Sequence, residues 1–336
     1  MTELTNVSEL AKHFSDEGAA YELLERIRWP DGPICPHCGV IDHAYYLAPL
    51  SGVRVTRTGK VSYRRVWKCA DCRQQFSVLV GTIFEDSHLP LSKWLLAIHL
   101  LCAGKNGVSA LELSRTLGIA YKSAWHMAHR IRYAMTQPAL AAKLQGTVES
   151  DETYIGGKRK GFATRQEAAL HRMDNKTPVH TLVERGGEAR SRVLQAVTGD
   201  TLGEALREQV EPSATLMTDE LKAYRTLGRE FAAHELVNHS AGEYARGAAH
   251  INTAEGFFSQ LKRSIDGTHH HVSAWHLHRY LSEFDFRYST RKMKDGERTE
   301  RAIRQTAGKR LQYRATISAE THPPAAPEES GQLRLL

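Results

Sequence analysis

Two Cys-x-x-Cys pairs, Cys35-Pro-His-Cys38 and Cys69-Ala-Asp-Cys72, constrain this chain more than any other feature. Thirty residues separate Cys38 from Cys69. Each pair has the spacing of one zinc knuckle, and a hairpin between them would bring the four thiols together. Four thiolates close a tetrahedral site around Zn2+ and leave no open position for a substrate, so such a site is structural. The competing readings are incidental cysteines or a redox pair, with His37 and His43 as alternative ligands. Cys102 lies in an apolar run and reads as a core thiol. Five cysteines in 336 residues do not make a disulfide scaffold, so a reducing compartment is expected.

The stretch 53–67 between the pairs reads as a hairpin around Thr58-Gly59-Lys60. It and its flank carry Arg54, Arg57, Lys60, Arg64, Arg65 and Lys68, with no acid from position 53 to 68. A solvated hairpin would tolerate this, but like charges clustered beside a zinc ribbon favour phosphate contact. The formal net charge of +7 points the same way, towards an anionic partner. Residues 1–28 have no uninterrupted apolar run and do not read as a signal peptide. The most apolar run, residues 94–103, falls short of the roughly 20 residues that a membrane span needs. A cytoplasmic protein with no membrane partner is expected.

Periodicity divides the chain into five blocks. Residues 1–30 hold an amphipathic helix over 8–28, ended by Trp29-Pro30-Asp31-Gly32-Pro33. Residues 31–87 form the ribbon. Residues 88–140 are helical, with an apolar helix over 91–103, a short one over 110–117 ending at Gly118, and a third from Tyr121 to Met135. The last two resemble a helix-turn-helix, with Leu113, Leu117, Ile119, Ala124 and Ile131 inside. The second helix would then expose Lys122, Ser123, His126, His129, Arg130 and Arg132 to phosphates and base edges. An ordinary pair of helices is the competing reading. Residues 145–290 alternate strands (147–155, 179–184, 192–197, 214–218) with helices (202–210, 253–265), which predicts an α/β domain with a largely β front half and a polar insertion over 158–176. Residues 291–336 read as a basic segment and, after Thr316, a disordered tail.

Three acids stand out in the fourth block. Strand alternation places Asp151 on one face with Glu149 and Thr153, while Val148, Ser150, Glu152 and Tyr154 share the other. Asp219 follows the apolar run 214–218 and so lies at a strand's carboxyl end, where α/β sites are usually built. Glu255 and Lys262 are seven residues apart, close to two helical turns, and point the same way. Two strand acids and one helical acid can converge on a pair of divalent cations roughly 4 Å apart, which suits in-line displacement at phosphorus. Singly, each is the kind of acid that is usually solvated. Glu149, Glu152, Glu220 and Asp174 are neighbours given no role.

The stretches 28–39, 150–158, Thr218-Asp219-Glu220, 250–263 and 267–288 resemble the zinc-ribbon DDE transposases of bacterial insertion sequences, the ISXO-type group. The resemblance covers roughly residues 15–290. It implies a multidomain α+β and α/β architecture: zinc ribbon, helix-turn-helix, then a ribonuclease-H-like (DDE integrase-type) catalytic domain. Asp151, Asp219 and Glu255 match the family's acidic triad, with 67 residues between the first two and 35 between the last two. They would hold catalytic Mg2+ or Mn2+, and Cys35, Cys38, Cys69 and Cys72 would hold structural Zn2+. Lys262, with Arg263 beside it, would touch transposon-end DNA, as would Lys122, Arg130, Arg64 and Arg65 elsewhere. Some relatives carry Asn as the third member, and Asn252 lies one turn before Glu255. Glu255 is preferred because a carboxylate binds magnesium better than an amide, leaving Asn252 to orient it or a water. The implied activity is strand cleavage at the element's ends and transfer of the resulting 3′-hydroxyl to target DNA, by a cut-and-paste or replicative route. The implied partners are double-stranded end and target DNA and further copies of the chain, a homodimer or larger, on the bacterial nucleoid. The rival classes are a catalytically inactive zinc-ribbon regulator and a ribonuclease-H-type nuclease. His269, His270 and His271 read as packing or DNA-proximal structure rather than a metal site.

Overall fold

The computed structural model describes residues 16–49, 54–59, 61–137, 141–157, 175–243 and 245–313. The expected positions Leu10 and Phe14, the core of the polar insertion and the tail after Thr316 lie outside them. The chain forms two compact units, one from residues up to 104, 110–135 and 293 onward, the other from 105–109 and 136–292.

The first unit begins with α1 (Glu17–Arg28). The Asp16 carboxylate caps it by accepting from the amides of Gly18 and Ala19 at 3.1 and 3.3 Å. Ala20, Leu23, Leu24 and Ile27 form its buried stripe. Trp29 ends the helix and meets Trp67 and Phe76 edge-on, with ring centroids 6.0 and 5.8 Å away. These belong to the ribbon sheet, β1 (Ala44–Tyr46), β4 (Trp67–Cys69) and β5 (Gln75–Phe76), in the order β1-β4-β5. The hairpin expected between the cysteine pairs is β2 (Arg54–Val55) against β3 (Val61–Ser62). Glu25 locks helix to ribbon by accepting from Trp67 Nε1 at 2.7 Å and Arg65 Nε at 2.8 Å.

Helix α2 (Leu91–Ala103) is buried on most sides, Cys102 included. Its N-cap, Pro90, has no side-chain donor or acceptor to offer, and Glu17 accepts from Leu91 N and, at 3.0 Å, from Ser92 N instead. Then come α3 (Ala110–Leu117) and α4 (Tyr121–Ala134), separated at Gly118, whose φ of +58° reverses the chain. Leu113, Leu117, Ala124 and Ile131 are buried, as their spacing requires. The block read as a basic C-terminal segment contains a helix, α9 (Asp295–Arg304), which packs on α2. There Arg298 Nη1 donates to Cys102 O at 2.7 Å, and Thr299 Oγ1 lies 3.0 Å from His99 Nδ1.

The second unit is a five-stranded sheet in the order β10-β9-β6-β7-β8. Its strands are β6 (Thr147–Ile155), β7 (Thr177–Glu184), β8 (Ala189–Val193), β9 (Thr215–Thr218) and β10 (Ala233–Leu236). The three consecutive strands β6, β7 and β8 pair antiparallel, and β9 and β10 extend the sheet in parallel from the other edge of β6. Helices α5 (Gly199–Gln209) and α6 (Lys222–Leu227) cover one face, where Val148, Leu182 and Leu216 pack on Leu202, Leu206 and Tyr224. Helices α7 (Asn252–Ser264) and α8 (Ala274–Ser289) cover the other, where Ile155, Val179 and Val183 pack on Ala254, Phe257, Leu261 and Phe284. Strand β8 lies earlier than the expected 192–197. Gly186, at φ +75°, turns the chain back at once, so pairing with β7 is finished by Val193.

Asp285 of α8 fastens this face. It is buried and accepts from Ser191 N and Ser191 Oγ, both at 2.7 Å. Burial raises its pKa from 3.8 to about 7, against those two hydrogen bonds and the Arg190 guanidinium. The folded form therefore holds a proton that the unfolded chain gives up near pH 4, and the stability it contributes is lost as pH rises through about 7. Compared with Asp285→Asn, the wild-type chain should lose up to about 4 kcal/mol between pH 4 and 7. Urea titrations of both proteins across that range would show whether the difference carries that sign.

Candidate active site and zinc centre

Strands β6 and β9 run parallel with Thr147 opposite Thr215, Val148 opposite Leu216 and Glu149 opposite Met217. Two further residues along that register set Asp151, in the middle of β6, beside Asp219, just past the carboxyl end of β9, on neighbouring strands about 4.8 Å apart. Asp151 is half-buried and accepts from Glu152 N at 2.8 Å. Burial pushes its pKa up to about 7; Asp219 and Glu255 push the same way, and Lys262 opposes them. Asp219 is raised too, chiefly by burial, against a hydrogen bond from Leu221 N at 3.0 Å.

Glu255 comes from α7, in its first turn, and stays exposed. Lys262 and Arg263 are exposed near the other end, where Arg263 Nε turns back to Ser259 O at 3.2 Å. Asn252 opens the helix and is exposed. The N-cap, Ile251, makes no side-chain cap, so the first amides need another acceptor. Glu149 supplies it from β6. Its carboxylate has no solvent exposure and accepts from Ala254 N at 2.9 Å, Thr253 Oγ1 at 2.8 Å and Arg185 Nε at 2.6 Å. An anion at a helix N-terminus is favoured by the aligned peptide dipoles. Because Glu149 and Asp151 share a face of one strand, the cap that anchors α7 also sets Glu255 towards Asp151.

A second neighbour without an assigned role proves structural in the same way. Glu220 accepts from His239 N at 2.9 Å and Ser240 N at 3.1 Å. These bonds, led by the one from the Ser240 hydroxyl, hold its pKa down at about 2. They fix the turn 239–241, from which His239 Nδ1 reaches 3.8 Å from Glu255 Oε1 and lowers the pKa of Asp219. The sequence gives no local signal for His239, which meets the site only through the fold. The structure thus brings Asp151, Asp219, Glu255 and Lys262 into one electrostatic neighbourhood. Among the described residues, only the four cysteines form a group of potential ligand atoms all within 4.8 Å of one another.

Cys35 Sγ lies 3.6 Å from Cys72 Sγ, and Cys38 Sγ 3.6 Å from Cys69 Sγ. A tetrahedron with Zn–S bonds of about 2.3 Å requires sulfurs about 3.8 Å apart, so the thiolates fit zinc. His43 points elsewhere, with Nδ1 2.6 Å from Asp71 Oδ1.

The remaining cations divide. Lys122 is exposed at the start of α4 and lines an open cavity of about 490 Å3 with Ser123, His126, Arg310 and Tyr313. Arg64 is exposed. Arg65 is engaged inside the protein, paired with Glu25 and Glu22 and lying over the Tyr46 ring at 4.5 Å. Arg130 corrects the expectation that it faces DNA. It is buried, donates to Glu85 O at 2.6 Å, stacks over Trp94 at 5.1 Å, and has its pKa lowered to about 10 by burial. His129 and Arg132 are buried with it, because this turn of α4 faces the interior of the unit.

Residues 143–289 match the model of the ISXO2-like transposase domain, and residues 15–75 match the transposase zinc-ribbon domain. A protein of Halobacterium salinarum described as an uncharacterized protein in transposable element ISH50 is 30% identical over 307 residues, spanning 88% of this chain and 98% of its own length. The chain belongs to the ISXO2-like transposase family. Two features of this family member follow from its geometry and can be checked. Elemental analysis should find one zinc per chain, and chelation or Cys69→Ser should unfold β1, β4 and β5, since binding a structural zinc supplies folding energy. Glu149→Ala should cost about 3 kcal/mol in urea unfolding by removing the carboxylate partner of Arg185 and leaving the donors of Thr253 and Ala254 unmet, with exchange of the Ala254 amide accelerated.

Proposed function

We propose that this chain moves an insertion sequence by DDE chemistry, with Asp151, Asp219 and Glu255 as the catalytic acids. The observation that carries the reading is the parallel register of β6 and β9, which aligns Asp151 with Asp219 while the Glu149-capped helix presents Glu255 to them. The five-stranded mixed sheet with helices on both faces supports a ribonuclease-H-like domain. The Gly118 turn between α3 and α4 supports a helix-turn-helix whose exposed end carries Lys122.

The donor set suits Mg2+ or Mn2+: hard carboxylate oxygens, with the pKa of Asp151 pushed up to about 7 chiefly by burial and further by the neighbouring Asp219 and Glu255. When bound, the cations supply charge neutralisation at the scissile phosphate and activation of the attacking oxygen. The protein's own part is placement. Asp151 and Asp219 are fixed by the sheet and Glu255 by its capped helix, Asn252 lies a turn away to orient water or Glu255, and Lys262 and Arg263 stand exposed to take the DNA backbone. Lys122 and Arg64, with the ribbon, hold the terminal inverted repeats on double-stranded DNA, and the two ends call for at least two copies of the chain.

Asp151→Asn, Asp219→Asn and Glu255→Gln should each reduce magnesium-dependent nicking of end DNA by about a thousandfold, several kcal/mol of lost charge stabilisation. End binding in a mobility-shift assay should persist. Near-normal nicking by any variant would remove that residue from the triad. Nicking without joining to target DNA would favour a nuclease, and binding without nicking a regulator.

A further inference from the structure

Behind Asp151, on the opposite face of β6, lies a polar cluster that the proposed chemistry does not use. Ser150 and Glu152 flank Asp151 in sequence and so point to the other side of the sheet. Between them sits Tyr224 of α6, with no solvent exposure and its ring in the apolar cluster of Leu202, Leu206 and Leu216. Its hydroxyl donates to the Glu152 carboxylate and lies 2.8 Å from Ser150 Oγ. Ser150 Oγ is also 2.8 Å from Nε2 of the buried His180 on β7.

Each hydroxyl has one proton to give, and the Tyr224 hydroxyl donates to Glu152. Ser150 Oγ lies between the Tyr224 hydroxyl and His180 Nε2, within hydrogen-bond distance of both. The chain His180, Ser150, Tyr224, Glu152 is satisfied at every link, and such chains strengthen each bond in turn. It ends on a carboxylate and joins two strands and a helix.

Helix α6 begins at Lys222, three residues after Asp219. The loop Asp219-Glu220-Leu221 is therefore held at one end by β9 and at the other by whatever fixes α6. We infer that Tyr224 is a positioning residue for the reaction: its hydroxyl, bonded to Ser150 and Glu152, clamps the Asp219 loop to the strand that carries Asp151, and so sets the spacing of the two metal-binding carboxylates. The inference rests on the metal-binding reading given above. It assigns the Glu that follows Asp151 to holding the site together rather than to binding metal.

Tyr224→Phe keeps the ring in its pocket and removes only the hydroxyl. Manganese binding to the whole protein, followed by calorimetry and electron paramagnetic resonance, reads the site without relying on turnover. Loss of a direct outer partner of a metal ligand typically weakens metal binding about 10–100-fold; the Tyr224 hydroxyl acts one step further out, through Ser150 and Glu152, so the low end of that range, about 10-fold, is the expected effect. The magnesium concentration for half-maximal nicking should rise in step, with end binding unchanged. Glu152→Ala should behave alike, and Glu152→Gln, which keeps an acceptor, should shift less. Ser191→Ala removes buried hydrogen bonds to Asp285 in the same unit, and controls for stability. It should lower the melting temperature and leave the metal titration alone. If Tyr224→Phe binds manganese as the wild type does, the clamp is wrong and the metal site stands. If the wild type itself binds none beyond the ribbon zinc, and Asp151→Asn changes nothing, the metal reading and the clamp fall together.

Discussion

Strand β6 is bonded on both edges, antiparallel to β7 and parallel to β9. Both of its faces are covered, so a slip of one residue would exchange every side chain between two different interiors. That constraint fixes the division of labour along it. Val148, Ser150 and Glu152 face the helices that follow β8 and β9, and Glu149, Asp151 and Ile155 face those that close the second unit. Four consecutive residues thus serve three ends: Glu149 anchors the helix that bears Glu255, Asp151 lies beside Asp219, and Ser150 and Glu152 around it hold Tyr224. No one of them can be shifted without the others.

The second consequence is electrostatic. Burial raises both Asp151 and Asp219, and the nearest basic groups, Lys262 and His239, only partly offset it. Glu149 instead meets Arg185 and a helix N-terminus at close range. Glu149 and Asp151, two residues apart on one strand, are therefore given different surroundings by their partners.

Much of this was legible in the sequence where a pattern repeats at short range. Strand β6 was readable to its end residues, and the cysteine spacing announced the ribbon. Leu194 and Val197 misled the reading of β8, since they serve the core from beyond the strand. The burial of Arg130 was not readable, because a charge on a helix suggests solvent and nothing local announces Trp94 and the Glu85 carbonyl waiting for it. Helix α9 was missed for the opposite reason. Its buried stripe is thin, Thr299, Ala302 and Ile303 among charged neighbours, and reads as a solvated basic segment. Glu149 shared the face of Asp151 on period alone, but its role as a cap required knowing where residue 254 would lie.

The return of α9 to the first unit has a bearing on how the molecule comes into being. The sheet unit is complete once residue 292 has been made, although it lies in the middle of the chain. The unit with the ribbon and the helix pair starts first but lacks the partner of α2 until residues 295–304 emerge. Synthesis therefore finishes the sheet unit before the ribbon unit can close. A chain cut short near residue 292 would keep the acids and leave the apolar side of α2 bare.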